Sequence, residues 1–291
     1  MARRLLIVNP YASGVDERRV DAVAAALGDV DIRRTQHRGH ATELVRDAAD
    51  VEAIYVFSGD GGFNEALNGL ERDVPLGFVP GGGASVLPRA LGLPGDPVEA
   101  ARILARGTTR PISLGRVNGR RFGFASGIGL DAEVVRRIDA RGRSADGGRA
   151  GNVAFALTVA RVLAERRGRF EPVLDIAGHG RVAFALVSNC DPYTYAGPLP
   201  VHVAPRASFE RGLDLVAPRE VRPVALPRFA RYVLLGRGHE SAPDLVYGHD
   251  LDRIEVRADS PQPLQADGED LGDVTEALFE AERDAVRVFV P

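Results

Sequence analysis

Ile54-Tyr55-Val56-Phe57-Ser58-Gly59-Asp60-Gly61-Gly62-Phe63-Asn64-Glu65-Ala66-Leu67-Asn68-Gly69-Leu70 writes a strand, a glycine-rich turn and a helix in succession. The first four residues are apolar, β-branched or aromatic without a break, as a strand buried on both faces requires. Three glycines around one aspartate follow. Phe63, Ala66, Leu67 and Leu70 then recur at the spacing of one helical face. Glycines let a main chain approach a ligand closely, and the N–H groups opening a helix point at an anion. Asp60 is expected at the carboxyl end of a buried strand, where open α/β sheets bind ligands. Taken alone, such an aspartate equally well caps the helix it opens.

The same pattern recurs on both sides. Leu5-Leu6-Ile7-Val8 ends in Asn9-Pro10-Tyr11-Ala12-Ser13-Gly14 and precedes a helix from about Glu17 to Leu27. Val30 and Ile32 alternate with charged residues as a more exposed strand closed by Thr35, and a helix is expected over Thr42 to Ala49. Leu76 to Pro80 runs into Gly81-Gly82-Gly83-Ala84-Ser85, then a helix through Val86, Leu87, Ala90 and Leu91 closed by Gly92 and Pro94. Strands alternating with helices at this spacing predict a doubly wound parallel sheet, an α/β unit whose small-residue turns line one edge as a phosphate-binding floor.

After a helix from about Pro97 to Arg106 the character changes. Val117-Asn118-Gly119-Arg120 signals a two-residue hairpin. Gly127-Ile128-Gly129-Leu130-Asp131 opens a helix carrying Val134, Val135 and Ile138, and Arg141 to Gly151 reads as a mobile loop before a helix over Val153 to Arg166. From Phe170 to about Val274 short strands and turns prevail, with one helix at Pro227 to Leu235. The expectation is an all-β, sandwich-like second domain. The division is residues 1–115 as the nucleotide domain, completed by about 276–291, and 116–275 as the substrate domain.

With 291 residues, 45% hydrophobic and 26% charged, the chain has ample core for such a protein, and its net charge of −3 argues against a general nucleic-acid binder. No run reaches membrane-spanning length, and Met1-Ala2-Arg3-Arg4 leads into a strand, so a cytoplasmic protein is expected. One cysteine, Cys190, excludes a disulfide framework and reads as a small buried hydrophobe. Every basic residue is arginine, which removes the lysine-dependent P-loop, the protein-kinase lysine and Schiff-base chemistry. The histidines read as scattered, without H-x-x-H or H-E-x-x-H spacing, so no zinc site is expected, and His202 and His249 read as structural or surface residues.

Placed in this order, the residues resemble the diacylglycerol kinase and sphingosine kinase catalytic family, with NAD kinases as more distant relatives. Asn9 to Gly14 is similar to the family's N-P-x-S-G loop. Ser58 to Leu70 is similar to its G-G-D-G-T-x-N-E-V-x-N-G-L signature. Pro80 to Arg89 takes the place of P-x-G-T-x-N-D-F-A-R, Gly127 to Ala132 that of G-x-G-F-D-A, and Asp267-Gly268-Glu269 that of a late D-G-E. The chain departs where the signature threonine is Gly62, and where a threonine, an asparagine and an aspartate of the third loop are Gly83, Ser85 and Val86. Backbone N–H groups must then carry more of the nucleotide contact. Family members also hold a structural magnesium near an acidic turn, which here reads Ser208-Phe209-Glu210-Arg211-Gly212. A guanidinium stands where an acid is expected, so the resemblance does not carry that metal over.

The resemblance implies ATP and Mg2+ as cofactors, held by Asn9, Pro10, Ser13, Gly14, Thr35, Ser58, Gly59, Asp60, Gly61, Gly62, Asn64, Glu65, Gly82, Gly83 and Ser85. Phosphoryl transfer is mostly positioning and charge neutralisation. Asp60 would face the metal-bound phosphates, Glu269 would take the proton of a lipid hydroxyl, and Asp131 would position hydroxyl or base. Glu65, in a first helical turn, also suits a purely dipole-stabilising place. The implied activity is a lipid kinase acting on diacylglycerol, peripherally at the inner face of the membrane; whether it forms a homodimer stays open. A sphingoid-base, polyprenol or glycolipid acceptor, or a non-catalytic lipid- or nucleotide-binding relative, are the alternatives. Arg136, Arg137, Arg141, Arg143 and Arg149 make a positive segment that is either a solvated face or a contact for anionic headgroups.

Overall fold

The computed structural model describes residues 3–140, 152–196 and 199–291. The segment read above as a mobile loop, with Arg141, Arg143 and Arg149, lies outside the described residues. The chain divides into two compact units, one running to Ile112 and resuming from Asp284 to Pro291, the other from Ser113 to Arg283.

The first unit alternates β1 (Arg3–Val8), α1 (Glu17–Leu27), β2 (Asp31–Arg34), α2 (His40–Arg46), β3 (Val51–Ser58), α3 (Asp60–Gly69), β4 (Leu76–Pro80), α4 (Val86–Ala90) and α5 (Pro97–Leu104), then enters β5 (Thr109–Val117). The sheet order is β4-β3-β1-β2, all parallel. β4 gains a further parallel neighbour from the chain's last strand at Val288, opposite Leu76. α1 packs with α5 and α2 with α3. One core gathers Leu6, Val8, Tyr55, Phe57 and Val79 from the strands with Val20, Val23, Leu27 and Leu104 from α1 and α5. This is the doubly wound α/β arrangement that the apolar runs predict. Helix α2 begins two residues earlier than expected because Gly39, at φ +87°, supplies a left-handed entry at its N-terminus.

The second unit is strand-rich and mostly antiparallel. It comprises β6 (Arg120–Phe122), β7 (Ala125–Ile128), α6 (Leu130–Ala140), α7 (Asn152–Glu165), β8 (Leu174–Ile176), β9 (Gly180–Val182), β10 (Ala185–Ser188), β11 (Thr194–Ala196), β12 (Leu199–Val201), β13 (Leu213–Pro218), α8 (Leu226–Leu235), β14 (Leu245–Leu251), β15 (Arg253–Ala266) and β16 (Glu269–Phe289). Its sheet runs β14-β13-β10-β7-β15-β16 around a core that includes Phe122, Ile128, Leu174, Val187, Leu215 and Phe279. Asn118 and Gly119, at φ +47° and +86°, make the predicted hairpin between β5 and β6. Asp267 and Gly268, at φ +49° and +75°, make a second one, with Ala266 opposite Glu269. The strands it joins have 14 and 21 residues, not the short strands expected. Breaks in pairing register near Arg257–Gln262 and Pro263–Gln265 interrupt the long ladder, and with it the alternation that would have announced such strands.

Candidate active site

In the first unit the turns after β1, β3 and β4 pack main chain against main chain. Gly14 donates its N–H to the Gly81 carbonyl at 2.8 Å, and Gly81 donates to the Ser58 carbonyl at 2.7 Å. A Cβ at Gly14 would lie 2.9 Å from that Gly81 oxygen, and one at Gly82 would lie 2.8 Å from the Gly59 Cα. Glycine is therefore required at Gly14 and Gly82 by close approach. Gly83, by contrast, faces open space. Asn9 secures the first turn, donating its N–H to the Phe57 carbonyl and accepting the Tyr11 N–H on Oδ1, both at 3.0 Å. Pro10 and Ser13 are exposed, while Thr35 is buried with its N–H on the Val8 carbonyl. Ser85 sits at φ +43°, and its hydroxyl closes the third turn on Gly82, accepting the N–H and donating to the carbonyl.

Asp60 opens α3 as expected, and its carboxylate reaches a second helix. Oδ1 accepts the N–H of Val86 at 2.7 Å and that of Leu87 at 3.4 Å, the first amides of α4. One aspartate thus ties the second glycine turn to the third. The two residues meant for the nucleotide beside it have other work. Glu65 accepts the N–H of Gly39 at 2.8 Å and of Ala41 at 3.1 Å, so it caps α2 from a distance. Asn64 is wholly buried and its side chain meets Asn68.

Gly62 and Ser58 explain each other. A Cβ on Gly62 would stand 2.1 Å from the Ser58 Oγ and 2.7 Å from its Cβ. Ser58 is 1% exposed and its hydroxyl has no hydrogen-bond partner among the described residues. Where the family signature has glycine then threonine, this chain has serine then glycine. The hydroxyl has moved from the helix to the strand end, and the serine fills the room that a residue-62 side chain would need.

In the second unit Asp131 lies in the first turn of α6, its Oδ2 accepting the Tyr193 hydroxyl and, at 2.6 Å, the Gln265 amide. Gly127 is needed there, since a Cβ on it would come within 2.8 Å of that oxygen. Burial pushes the Asp131 carboxyl up from its ordinary value, against the pull of those two donors, and it pushes the Tyr193 phenol well up. Gln265 also accepts the Gly268 N–H at 2.9 Å, linking Asp131 to the hairpin that carries Glu269. Glu269 is 5% exposed, and its Oε2 accepts Nη2 of Arg120 at 2.8 Å. Asp267 in the same triplet is an anchor. Its carboxylate accepts the N–H groups of Gly123, Phe124 and Ala125 at 2.6, 3.0 and 3.2 Å.

Asp60 therefore belongs to the first unit, and Asp131 and Glu269 to the second, joined there through Gln265. Arg120, Tyr193 and Gln265 were not anticipated; they lie far from their partners in sequence, and no local spacing marks them. At the degenerate metal turn, Nη1 of Arg211 lies 3.4 Å from Asp250, which also accepts from Arg283 and the Gly212 N–H. These hold the Asp250 carboxyl below its ordinary range, the Gly212 N–H foremost. Both guanidiniums are thus paired with Asp250 at this turn.

The histidines need one correction. His37 and His40 stand three residues apart and, with Glu43, bring ligand atoms within 4.8 Å of one another. However, His40 accepts the Gln36 N–H on Nδ1, so the neutral ring carries its proton on Nε2 and offers no second lone pair to a metal. His202 and His249 are each paired with a carboxylate, Asp191 at 2.6 Å and Asp214 at 2.8 Å. Cys190 is buried and free, as read.

Residues 3–117 match the family model described as the diacylglycerol kinase catalytic domain. A diacylglycerol kinase of Bacillus subtilis is 27% identical over 241 residues, 79% of this chain and 76% of that protein. The chain spans about half (51%) of the length of another relative, a "putative lipid kinase" of Streptococcus pneumoniae. Among solved structures, a "putative diacylglycerol kinase" from Bacillus anthracis has a TM-score of 0.78 at 25% identity, covering 100% of this chain and 97% of that one. An NAD kinase from Archaeoglobus fulgidus in complex with ATP shares the fold at a TM-score of 0.50 and 13% identity, covering 98% of this chain and 93% of its own. The glycine-rich turns of the first unit fall inside the stretch that matches the diacylglycerol kinase catalytic domain, and the chain is similar to diacylglycerol kinases and related lipid kinases.

Proposed function

We propose that the protein is an ATP-dependent kinase that moves the γ-phosphate to a lipid hydroxyl, with diacylglycerol as acceptor. The observation that carries this is the interlocked set of turns at Gly14, Gly59 and Gly82, closed by Asp60 on the amides of α4. Such a floor offers main-chain N–H groups to phosphate oxygens and needs no ammonium side chain. The nucleotide is taken as ATP from the family and from the ATP named with the NAD kinase structure.

A metal fits on the donor chemistry. Mg2+ is held by one or two carboxylates together with substrate phosphates, and Asp60 is a half-buried carboxylate among glycines. Bound there, the ion would neutralise charge building on the phosphoryl oxygens. Glu269 would accept the proton of the acceptor hydroxyl, kept in place by Arg120. Asp131, held by Tyr193 and Gln265, would orient that hydroxyl or the hairpin bearing the base. The enzyme would act at the inner face of the membrane; among the described residues no helix is long and apolar enough to cross one.

The test is transfer of label from γ-labelled ATP to a total lipid extract, with the product identified by mass and soluble sugars and nucleosides run alongside. A labelled phosphatidic acid supports the reading. Label on a sphingoid base or polyprenol changes the acceptor, and ATP binding with no labelled lipid refutes the kinase assignment.

A further inference from the structure

Helix α8 buries one face only. Leu226 and Phe229 pack on a small core of Val134, Val162, Phe170, Phe184 and Val221, and the Tyr232 ring lies 5.5 Å from that of His239. No residue of α8 is fully buried. Its outer side carries large apolar side chains beside the exposed Arg228 and Arg231: Val224, in the turn leading into the helix, is 85% exposed, Leu234 61% and Leu235 49%. Leu199, on β12 beside the helix, is 60% exposed. Four of the six large exposed hydrophobics among the described residues thus sit on this face or next to it. Scattered singly they would need no account; gathered on one amphipathic helix they do.

Charge decides what could cover them. From Val221 to His239 the chain has no acidic residue and carries Arg222, Arg228, Arg231 and Arg237, in a protein whose net charge is −3. Arg222 is paired with Glu220 and Arg228 with Asp244. Arg231 and Arg237 have no ion-pair partner among the described residues. In the positive segment singled out in the sequence, the two described arginines are paired, Arg136 with Asp270 and Asp273, and Arg137 with Glu133 and Glu165. Apolar side chains flanked by guanidiniums on one helix face match the interfacial zone of a bilayer, hydrocarbon below and anionic headgroups at the level of the arginines.

We infer that α8, with Leu199 beside it, is the surface by which this protein docks on a lipid bilayer bearing anionic headgroups. The inference stands on the helix and not on the phosphoryl-transfer reading. Its test measures binding alone, so either can fail without the other.

The experiment is flotation of the full chain with vesicles of phosphatidylcholine alone and of phosphatidylcholine with phosphatidylglycerol. The wild type should float with the anionic vesicles, and added salt should release it. Arg231→Gln and Arg237→Gln should each weaken partition about five-fold, and the pair about 25-fold. Leu234→Ser should weaken it about ten-fold or more by removing a buried leucine from the interface. All three positions are exposed, so unchanged melting temperatures should accompany the losses. Equal binding to neutral and anionic vesicles, no binding, or variants that float like the wild type would overturn the inference. Variants that leave partition unchanged but shift a dimer to monomer in sedimentation velocity would also overturn it, assigning the face to a second copy of the chain.

Discussion

Gly62→Thr restores the hydroxyl that the family signature carries, and the structure predicts that it destabilises this protein. The new Cβ would enter at 2.1 Å from the Ser58 Oγ and 2.7 Å from its Cβ, well inside ordinary contact. Forcing extra atoms into a closed site costs about 1–3 kcal/mol. At about 2–4 °C per kcal/mol for a unit of this size, the melting temperature should fall by roughly 2–12 °C. Ser58→Gly alone should be neutral to stabilising, by up to about 2.5 kcal/mol. It removes a buried hydroxyl without a partner, worth about 1–3 kcal/mol, against about 0.5–1 kcal/mol for glycine at a strand end. The double variant Ser58→Gly/Gly62→Thr clears the overlap and should recover most of the loss, giving a favourable coupling of about 1–3 kcal/mol. Thermal melts of the four proteins measure that coupling. Additive effects, with the double variant as unstable as Gly62→Thr, would refute the claim that the two residues exchanged one hydroxyl.

Asp60→Asn keeps an acceptor for the Val86 N–H but removes the charge, so it should fold normally, bind nucleotide and lose at least about 100-fold in metal-dependent transfer, read as initial rates across Mg2+ concentrations. Glu65→Ala strips two amides at the start of α2 and should cost about 1–3 kcal/mol by chemical denaturation, while the ATP Kd of the folded fraction stays within about three-fold. Because burial raises the Asp131 carboxyl, its ionised form is the strained one: stability from this group is full below its unfolded pKa and is lost as pH rises through the raised folded value. Asp131→Asn, which still accepts from Tyr193 and Gln265, should therefore gain melting temperature over the wild type on going from acid to neutral pH; a gap constant with pH would contradict this. Asp267→Ala leaves three buried N–H groups unpaired and should cost about 3 kcal/mol or more, seen as loss of soluble protein, where Glu269→Gln should not.

What the sequence disclosed was whatever is local. Apolar runs such as Leu5 to Val8 and Ile54 to Phe57 marked buried parallel strands, and Asn118-Gly119 marked a hairpin that needs two positive φ angles. Which partner each polar side chain takes was not legible. Asp60 reaches an amide 26 residues away, and Glu65 one 26 residues back. Glu269 meets Arg120 across 149 residues, and Gln265 meets Asp131 across 134. Such pairs are made by topology, so an Asp-Gly-Glu triplet could be read as a turn or as a base. The structure shows the turn, with Asp267 accepting three amides and Glu269 paired with Arg120. The exchange at Ser58 and Gly62 showed only as two separate departures until their atoms were seen to claim one space.

The most direct test of the central claim compares wild type with Glu269→Gln in phosphoryl transfer from ATP to diacylglycerol in mixed micelles, with nucleotide affinity measured on the same samples. The account predicts a labelled phosphatidic acid from the wild type, an ATP Kd within about two-fold for the two proteins, and a rate at least about 100-fold lower for the variant. A wild type that binds ATP and phosphorylates no lipid, or a variant that transfers phosphate at the wild-type rate, would contradict it.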